Sequence, residues 1–187
     1  MGNILVLWHS NEGNTARMAE LVAEGAAGLD GTDVRNLSIA EATYEDLAWC
    51  EGIAVGSPTN FGTVSHQMKQ WWDTLPAEGW GVNDGKVGCA FSSAGAWGGG
   101  NELTCLTLLT ILINYGFLTF GVTDYVGKQF SPHYGSIVAG EPRRDEEQES
   151  CRRLGLRLAE WVSSLIHGKK EHHPLNQTYD RFGHLKG

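Results

Sequence analysis

Residues 3–8, Asn3-Ile4-Leu5-Val6-Leu7-Trp8, form a short apolar run that opens at once into a polar loop, His9-Ser10-Asn11-Glu12-Gly13-Asn14-Thr15. Residues 16–23 then supply good helix formers, Ala16-Arg17-Met18-Ala19-Glu20-Leu21-Val22-Ala23. Strand, polar loop and helix in that order put unpaired backbone N–H groups at a helix N-terminus, facing outward from the strand's carboxyl end. The peptide dipoles add there, so the turn favours an anion. Ser10, Asn14 and Thr15 can add side-chain donors, and the loop holds neither Lys nor Arg. A phosphate in this turn is therefore held by neutral groups. The same Ser, Asn and Thr also serve as ordinary helix caps, which is the plainer reading of the turn taken alone.

The pattern repeats along the chain. Strands are expected at 3–8, 33–37, 52–56, 86–92 and 117–122, with helices at 15–28, 44–49, 65–74, 101–115 and 144–167. Short, continuous apolar strands alternating with helices indicate a parallel sheet covered on both faces, a doubly wound α/β architecture with five strands. Residues 123–143 make a long connection with a short strand at 135–138, and Asp84-Gly85-Lys86 reads as a tight turn. One domain is expected over residues 1–167. Residues 168–187 form a C-terminal tail expected to be partly disordered, whose adjacent His172 and His173 read as solvated rather than metal-binding.

The net charge of −8 argues against a nucleic-acid backbone as partner. The four cysteines are scattered without a C-x-x-C pair, which fits buried, reduced thiols. No apolar stretch reaches 18 residues, and the start of the chain lacks a signal peptide's basic and apolar regions, so a cytoplasmic protein without membrane insertion is expected.

Neither G-x-G-x-x-G nor G-x-x-x-x-G-K-[ST] occurs, nor G-x-S-x-G, H-E-x-x-H or a spaced Cys/His quartet. The chemistry gathers instead in two further strand-to-helix loops. In Gly56-Ser57-Pro58-Thr59-Asn60-Phe61-Gly62-Thr63, Pro58 fixes the exit from the strand and Gly62 permits a sharp turn. Thr59, Asn60 and Phe61 offer backbone donors, an amide and an aromatic edge, which suits a flat heteroaromatic ligand. In Ser93-Ala94-Gly95-Ala96-Trp97-Gly98-Gly99-Gly100, the glycines suit close approach of backbone to a ligand, with Trp97 free to stack. Ligands of open parallel sheets sit at the carboxyl ends of the strands, where all three loops meet. One loop for phosphate and two for a flat polar ring describe a mononucleotide site.

Gly56-Ser-Pro-Thr-Asn-Phe-Gly62, Ser65-x-Gln67-Met68-Lys69, Phe91-Ser-Ser-x-Gly95-x-x-Gly-Gly100-x-Glu102 and Tyr134-Gly135-x-x-x-Ala139-Gly140 occur in this order. In these motifs, spread over residues 3–165, the chain resembles the flavodoxin-like superfamily and, within it, the WrbA-type NAD(P)H:quinone oxidoreductases. The resemblance implies strand order 2-1-3-4-5 and FMN as cofactor, with NADPH or NADH as co-substrate, a quinone acceptor and a homo-oligomer. It implies that residues 10–15 (Ser10, Asn11, Glu12, Gly13, Asn14, Thr15) hold the FMN phosphate. Pro58, Thr59, Asn60, Phe61 and Gly62 would border one edge of the ring, and Ser93, Ala94, Gly95, Ala96, Trp97 and Gly98 the other. Trp80 matches a family tryptophan that lines the substrate site from a neighbouring subunit, and a family active-site histidine falls at Asn114 or Tyr115. A one-electron carrier would use the same FMN loops.

Overall fold

The computed structural model describes residues 1–128 and 130–177. In chain order the elements are β1 (Gly2–Trp8), α1 (Asn14–Ala27), β2 (Thr32–Ser38), α2 (Tyr44–Trp49), β3 (Gly52–Asn60), β4 (Thr63–Val64) and α3 (His66–Asp73). They continue with β5 (Val87–Ala94), α4 (Asn101–Asn114), β6 (Leu118–Thr119), β7 (Ser136–Ala139) and α5 (Asp145–Trp161). The sheet runs β2-β1-β3-β5-β6 with parallel neighbours, and β7 also pairs with β5. With β5 as the fourth strand, this is the doubly wound parallel order 2-1-3-4-5.

Side-chain alternation along the strands divides the core into two layers. Ile4 and Val6 of β1 pack with Met18, Leu21 and Val22 of α1 and Leu154 and Leu158 of α5. Leu5 and Leu7 face the other way, onto Leu47, Met68, Trp72, Leu108 and Leu112 of α2, α3 and α4. The first layer is held close by glycine. A Cβ on Gly155 would stand 1.9 Å from the Val22 carbonyl oxygen, and one on Gly25 would stand 2.0 Å from that of Arg152. The backbones of α1 and α5 touch there, which only glycine allows.

Three elements differ from the sequence expectation. The fifth strand, expected at 117–122, keeps only Leu118–Thr119 against the start of β5. The short strand expected at 135–138 is β7, which takes the other half of the same edge, from Phe91↔Ser136 to Ala94↔Ala139. The chain between them leaves the sheet because Asp124, fully buried, accepts hydrogen bonds from Arg153 (2.8 Å) and Arg157 (2.7 Å) of α5. The helix expected to reach 167 ends at Trp161 and widens into a π turn at Val162–Ile166. Finally, β3 runs on to Asn60 and turns back as the β3–β4 hairpin, in a stretch read as loop.

Of the C-terminal tail, residues 170–172 and 174–176 form single 3₁₀ turns. His172 Nδ1 lies 2.7 Å from Ser163 Oγ, and the His173 ring meets Trp161 edge-on. Residues 178–187 lie outside the described residues. Among the described residues no helix is long and apolar enough to cross a membrane.

Candidate functional site

The carboxyl ends of β1, β3 and β5 meet at a cleft lined by Ser10, Asn11, Glu12, Asn14, Thr15, Pro58, Thr59, Asn60, Ser93, Ala94 and Gly95. Its first wall is the N-terminus of α1. Gly13 enters the helix at φ 91°, no side chain caps it, and its first turn carries no acid. The orphan N–H groups of α1 therefore lack a side-chain partner at the cleft. Ser10 Oγ accepts from the Gly13 N–H (2.9 Å), which folds the loop back on itself.

Hydroxyl groups bind the three loops to one another. Thr15 and Ser93 share a hydrogen bond of 2.8 Å, both side chains being buried. Thr59 Oγ1 lies 2.9 Å from both Ser92 Oγ and Thr104 Oγ1, and Ser92 donates to the Ser57 carbonyl (2.9 Å). Asn11 donates to Asn60 Oδ1 (3.4 Å) across the mouth. Each such bond adds about 0.5–1.5 kcal/mol net, and buried hydroxyls left without one would cost more. The cleft is thus lined mainly by neutral hydroxyl and amide groups, with Glu12 the one carboxylate among its lining residues. His9, just before the loop, accepts or donates at Ser65 Oγ (2.9 Å). Partial burial, then the charge of His66, lower its pKa, which favours the neutral imidazole.

Cleft volume is ≈190 Å³, below the roughly 300–1,000 Å³ of pockets that enclose a whole ligand. It has room for a group the size of a phosphate, and a larger ligand would extend over the rim. Two aromatic side chains stand there. Phe61 is fully exposed at the tip of the β3–β4 hairpin, at φ 49°, beside Gly62 at φ 90°. Two central residues with positive φ make a type I′ turn, where Asn or Gly is favoured at the position Phe61 occupies. Trp97 is 49% exposed. Phe130 meets its ring edge-on at 5.9 Å, and the Arg144 guanidinium lies 5.4 Å from its centroid. Ala96 accepts from the Gly99 N–H in the same loop, while Trp97 and Gly98 also border a second cavity beside α4.

Trp80, Asn114 and Tyr115 do not join this rim within one chain. Trp80 Nε1 donates to the Asn114 carbonyl (2.8 Å) and Tyr115 to that of Trp72 (2.7 Å). They line a cavity of ≈450 Å³ with Lys69, Trp72 and Asp73. Asn101 at the start of α4 is near the rim and Asn114 ends the helix, about 20 Å away at 1.5 Å per residue. Burial, and next the Asp73 carboxylate, raise the Tyr115 pKa, so its phenol is neutral.

The chain is 60% identical over 171 residues to a flavodoxin of Aquifex aeolicus, an alignment covering 91% of this chain and 92% of that one. It belongs to the flavodoxin-like family. A protein of Cupriavidus metallidurans named NAD(P)H dehydrogenase (quinone) is 36% identical over 89% of this flavodoxin-like chain and all of its own length. The crystal structure of a flavodoxin, WrbA-like protein from Agrobacterium tumefaciens superimposes with a TM-score of 0.71 at 23% identity, over 88% of this chain and 99% of that one, a likeness of fold. No protein-family model matches.

Sequence reading missed the groups that brace the flavodoxin-like rim. Thr104 and Ser57 tie the loops together, and Arg144 and Phe130 hold Trp97. Thr104, one turn into an apolar helix and on its buried face, was the one legible hint. For Arg144 and Phe130 no local signal existed, since both reach Trp97 only through the excursion after β6.

Proposed function

We propose that the cleft binds FMN and that the protein is an FMN-dependent oxidoreductase, taking electrons from NADPH or NADH and passing them to a quinone. The observation that carries the cofactor reading is the cradle itself. Side-chain-free N–H groups of α1 and the hydroxyl and amide groups of Ser10, Asn14 and Thr15 converge where a phosphate fits, with no competing carboxylate in the first turn of the helix. Thr59, Asn60 and Phe61 would border one edge of the ring, and residues 93–98 the other.

When bound, FMN would supply the redox chemistry: hydride in from reduced nicotinamide, two electrons out to a quinone. The chain's own part is to bind, orient and leave access. Thr15, Ser93, Thr59 and Thr104 fix the loops; Phe61 and Trp97 border the ring without closing over it. Arg144 and Phe130 restrain Trp97 at the side of the rim, so a flat substrate can reach the ring. Trp80, Asn114 and Tyr115 could contribute only from a second chain. The quinone dehydrogenase relative supports the enzymatic reading. The 60% identity to a flavodoxin supports a second one, an electron carrier between proteins with the same FMN site.

The test is direct. Protein loaded with FMN is mixed with NADPH or NADH and a benzoquinone, and nicotinamide absorbance is followed. Turnover supports the oxidoreductase; no oxidation of either nucleotide, with FMN bound one to one, leaves the carrier. Separately, Ser10→Ala with Thr15→Ala should weaken FMN binding at least tenfold, by loss of about 1.4 kcal/mol or more in donors. Unchanged affinity would reject the phosphate assignment.

A further inference from the structure

The third loop and the first turns of α4 border a second cavity of ≈540 Å³, large enough for a small molecule. Trp97, Leu103, Leu106, Tyr134 and Ile137 line it, the first four being 41–60% exposed. Large apolar side chains gathered in water around one hollow mark a surface that gains by being covered. The buried Asn101, also in the lining, has its amide committed to the Val138 carbonyl (2.8 Å). Glu102 is the one charged side chain among the lining residues. The hollow therefore offers no cation to a phosphate or carboxylate, and its carboxylate repels both. It suits uncharged, apolar matter.

This cavity starts at the rim. Gly100 lines it at φ 100°, and a Cβ there would stand 3.5 Å from Gly62 Cα and 3.7 Å from Thr59 Cγ2. The third loop thus packs onto the β3–β4 hairpin at one end of the hollow. Away from the rim the exposed apolar stripe of α4 runs on to Ile113, about 15 Å from Leu103 at 1.5 Å per residue. Thr110, between them, already donates its hydroxyl to the Leu106 carbonyl (2.8 Å). A compact ring would fill only the hollow. A linear hydrocarbon chain leaving the rim can follow the whole stripe.

We propose that this cavity seats the hydrocarbon tail of a lipid quinone whose ring stands at the cleft rim, so that the acceptor is a quinone with an alkyl or isoprenoid side chain. This rests on the quinone reading given above and deepens it. Trp97 stands between the two sites, held by Phe130 and by the Arg144 guanidinium, so ring and tail would lie on either side of one fixed indole. The phosphates of a nicotinamide nucleotide find only Glu102 here, so this arm of the site discriminates between the two substrates. A tail buried here touches no reacting atom. It therefore adds affinity without changing the chemical step, at roughly fourfold for each methylene fully buried.

A dimethyl-benzoquinone with and without a decyl side chain tests it on the FMN-loaded protein. With NADPH or NADH as donor, the decyl chain should lower KM at least tenfold and leave kcat unchanged. Leu106→Glu should abolish that gain while the KM of the tail-less quinone stays where it was; Leu103→Gln repeats the measurement should the first variant not fold. Calorimetric titration of both quinones without nucleotide reads the same ratio as Kd. Equal constants for the two quinones, or a Leu106→Glu effect shared by both, would overturn the proposal. So would a tail affinity that weakens as protein concentration rises, the mark of a hollow covered by another chain. Turnover of both quinones without tail preference overturns the tail site alone. Tail-dependent binding without turnover supports the tail site and overturns the quinone-reducing reading.

Discussion

Phe61 should act in opposite directions on stability and on ligand binding, and Phe61→Asn separates the two. The side chain is fully exposed, so in the free protein its removal loses no burial. Its backbone sits at φ 49°, where an L-residue with a bulky side chain costs about 1–2 kcal/mol and Asn costs less. The substitution also creates the residue pair that a type I′ hairpin favours most. We expect the ligand-free protein to gain about 1 kcal/mol, raising Tm by roughly 2–4 °C for a domain of this size. FMN binding should move the other way. Loss of an aromatic contact at the edge of a flat heteroaromatic ring costs about 0.5–1.5 kcal/mol, or roughly 2- to 13-fold in Kd. Thermal melts of the apoprotein and a titration of FMN fluorescence measure the two effects. A fall in the apoprotein Tm would mean that Phe61 is held by contacts rather than strained, and unchanged FMN affinity would mean that it does not meet the ring.

Gly155→Ala forces a methyl to within 1.9 Å of the Val22 carbonyl oxygen. The better helix propensity of Ala is worth about 1 kcal/mol, but prising α1 from α5 costs about 1–3 kcal/mol or more, so the urea midpoint should fall; a midpoint that rises would refute the close crossing. Asp124→Ala removes the buried carboxylate that Arg153 and Arg157 share, while Glu149 and Glu160 still pair with them, and should cost about 2–3 kcal/mol, detectable as a drop in Tm. A loss below 1 kcal/mol would show that the ion cluster is not what anchors the excursion after β6. The Glu51 carboxyl is raised by burial but held net below its ordinary value by the Asn3 N–H and by His167. Its contribution is therefore full above the unfolded pKa and lost as pH falls through the folded one. Glu51→Gln should cost stability at pH 7 and progressively less in acid; an undiminished difference at pH 3 would contradict this.

Where burial and chain pattern agree, the fold could be read directly. Residues 3–8 and 52–56 are apolar because both faces of β1 and β3 are covered, and the loops after them carry the polar side chains that reach the cleft. Reading failed where distant residues decided the outcome. Ser93 and Ala94 look like loop, yet β5 continues through them, with the Ser93 hydroxyl paired to Thr15. Residues 120–122 look like strand, yet the pull of Asp124 toward two arginines of α5 takes them off the sheet. The β3–β4 hairpin was hidden because its tip carries Phe where a turn of that class normally carries Asn. Trp80, Asn114 and Tyr115, expected at the substrate site, meet instead at the far end of α4, because a linear sequence does not say at which end of a helix a cleft will lie.

The two-part outer edge has a consequence for motion. Val87 and Gly88 of β5 are zipped to β6, and Phe91 to Ala94 to β7, by separate pieces of chain. Neither piece must release for the other to do so. The upper half, next to residues 93–95 of the cleft, can fray and re-form while the base of the sheet stays shut. This split edge predicts that the rim opens locally, short of global unfolding. Amide exchange should register it as faster release at residues 137–139 than along β1 and β3, and as slower release there once a ligand grips the cleft.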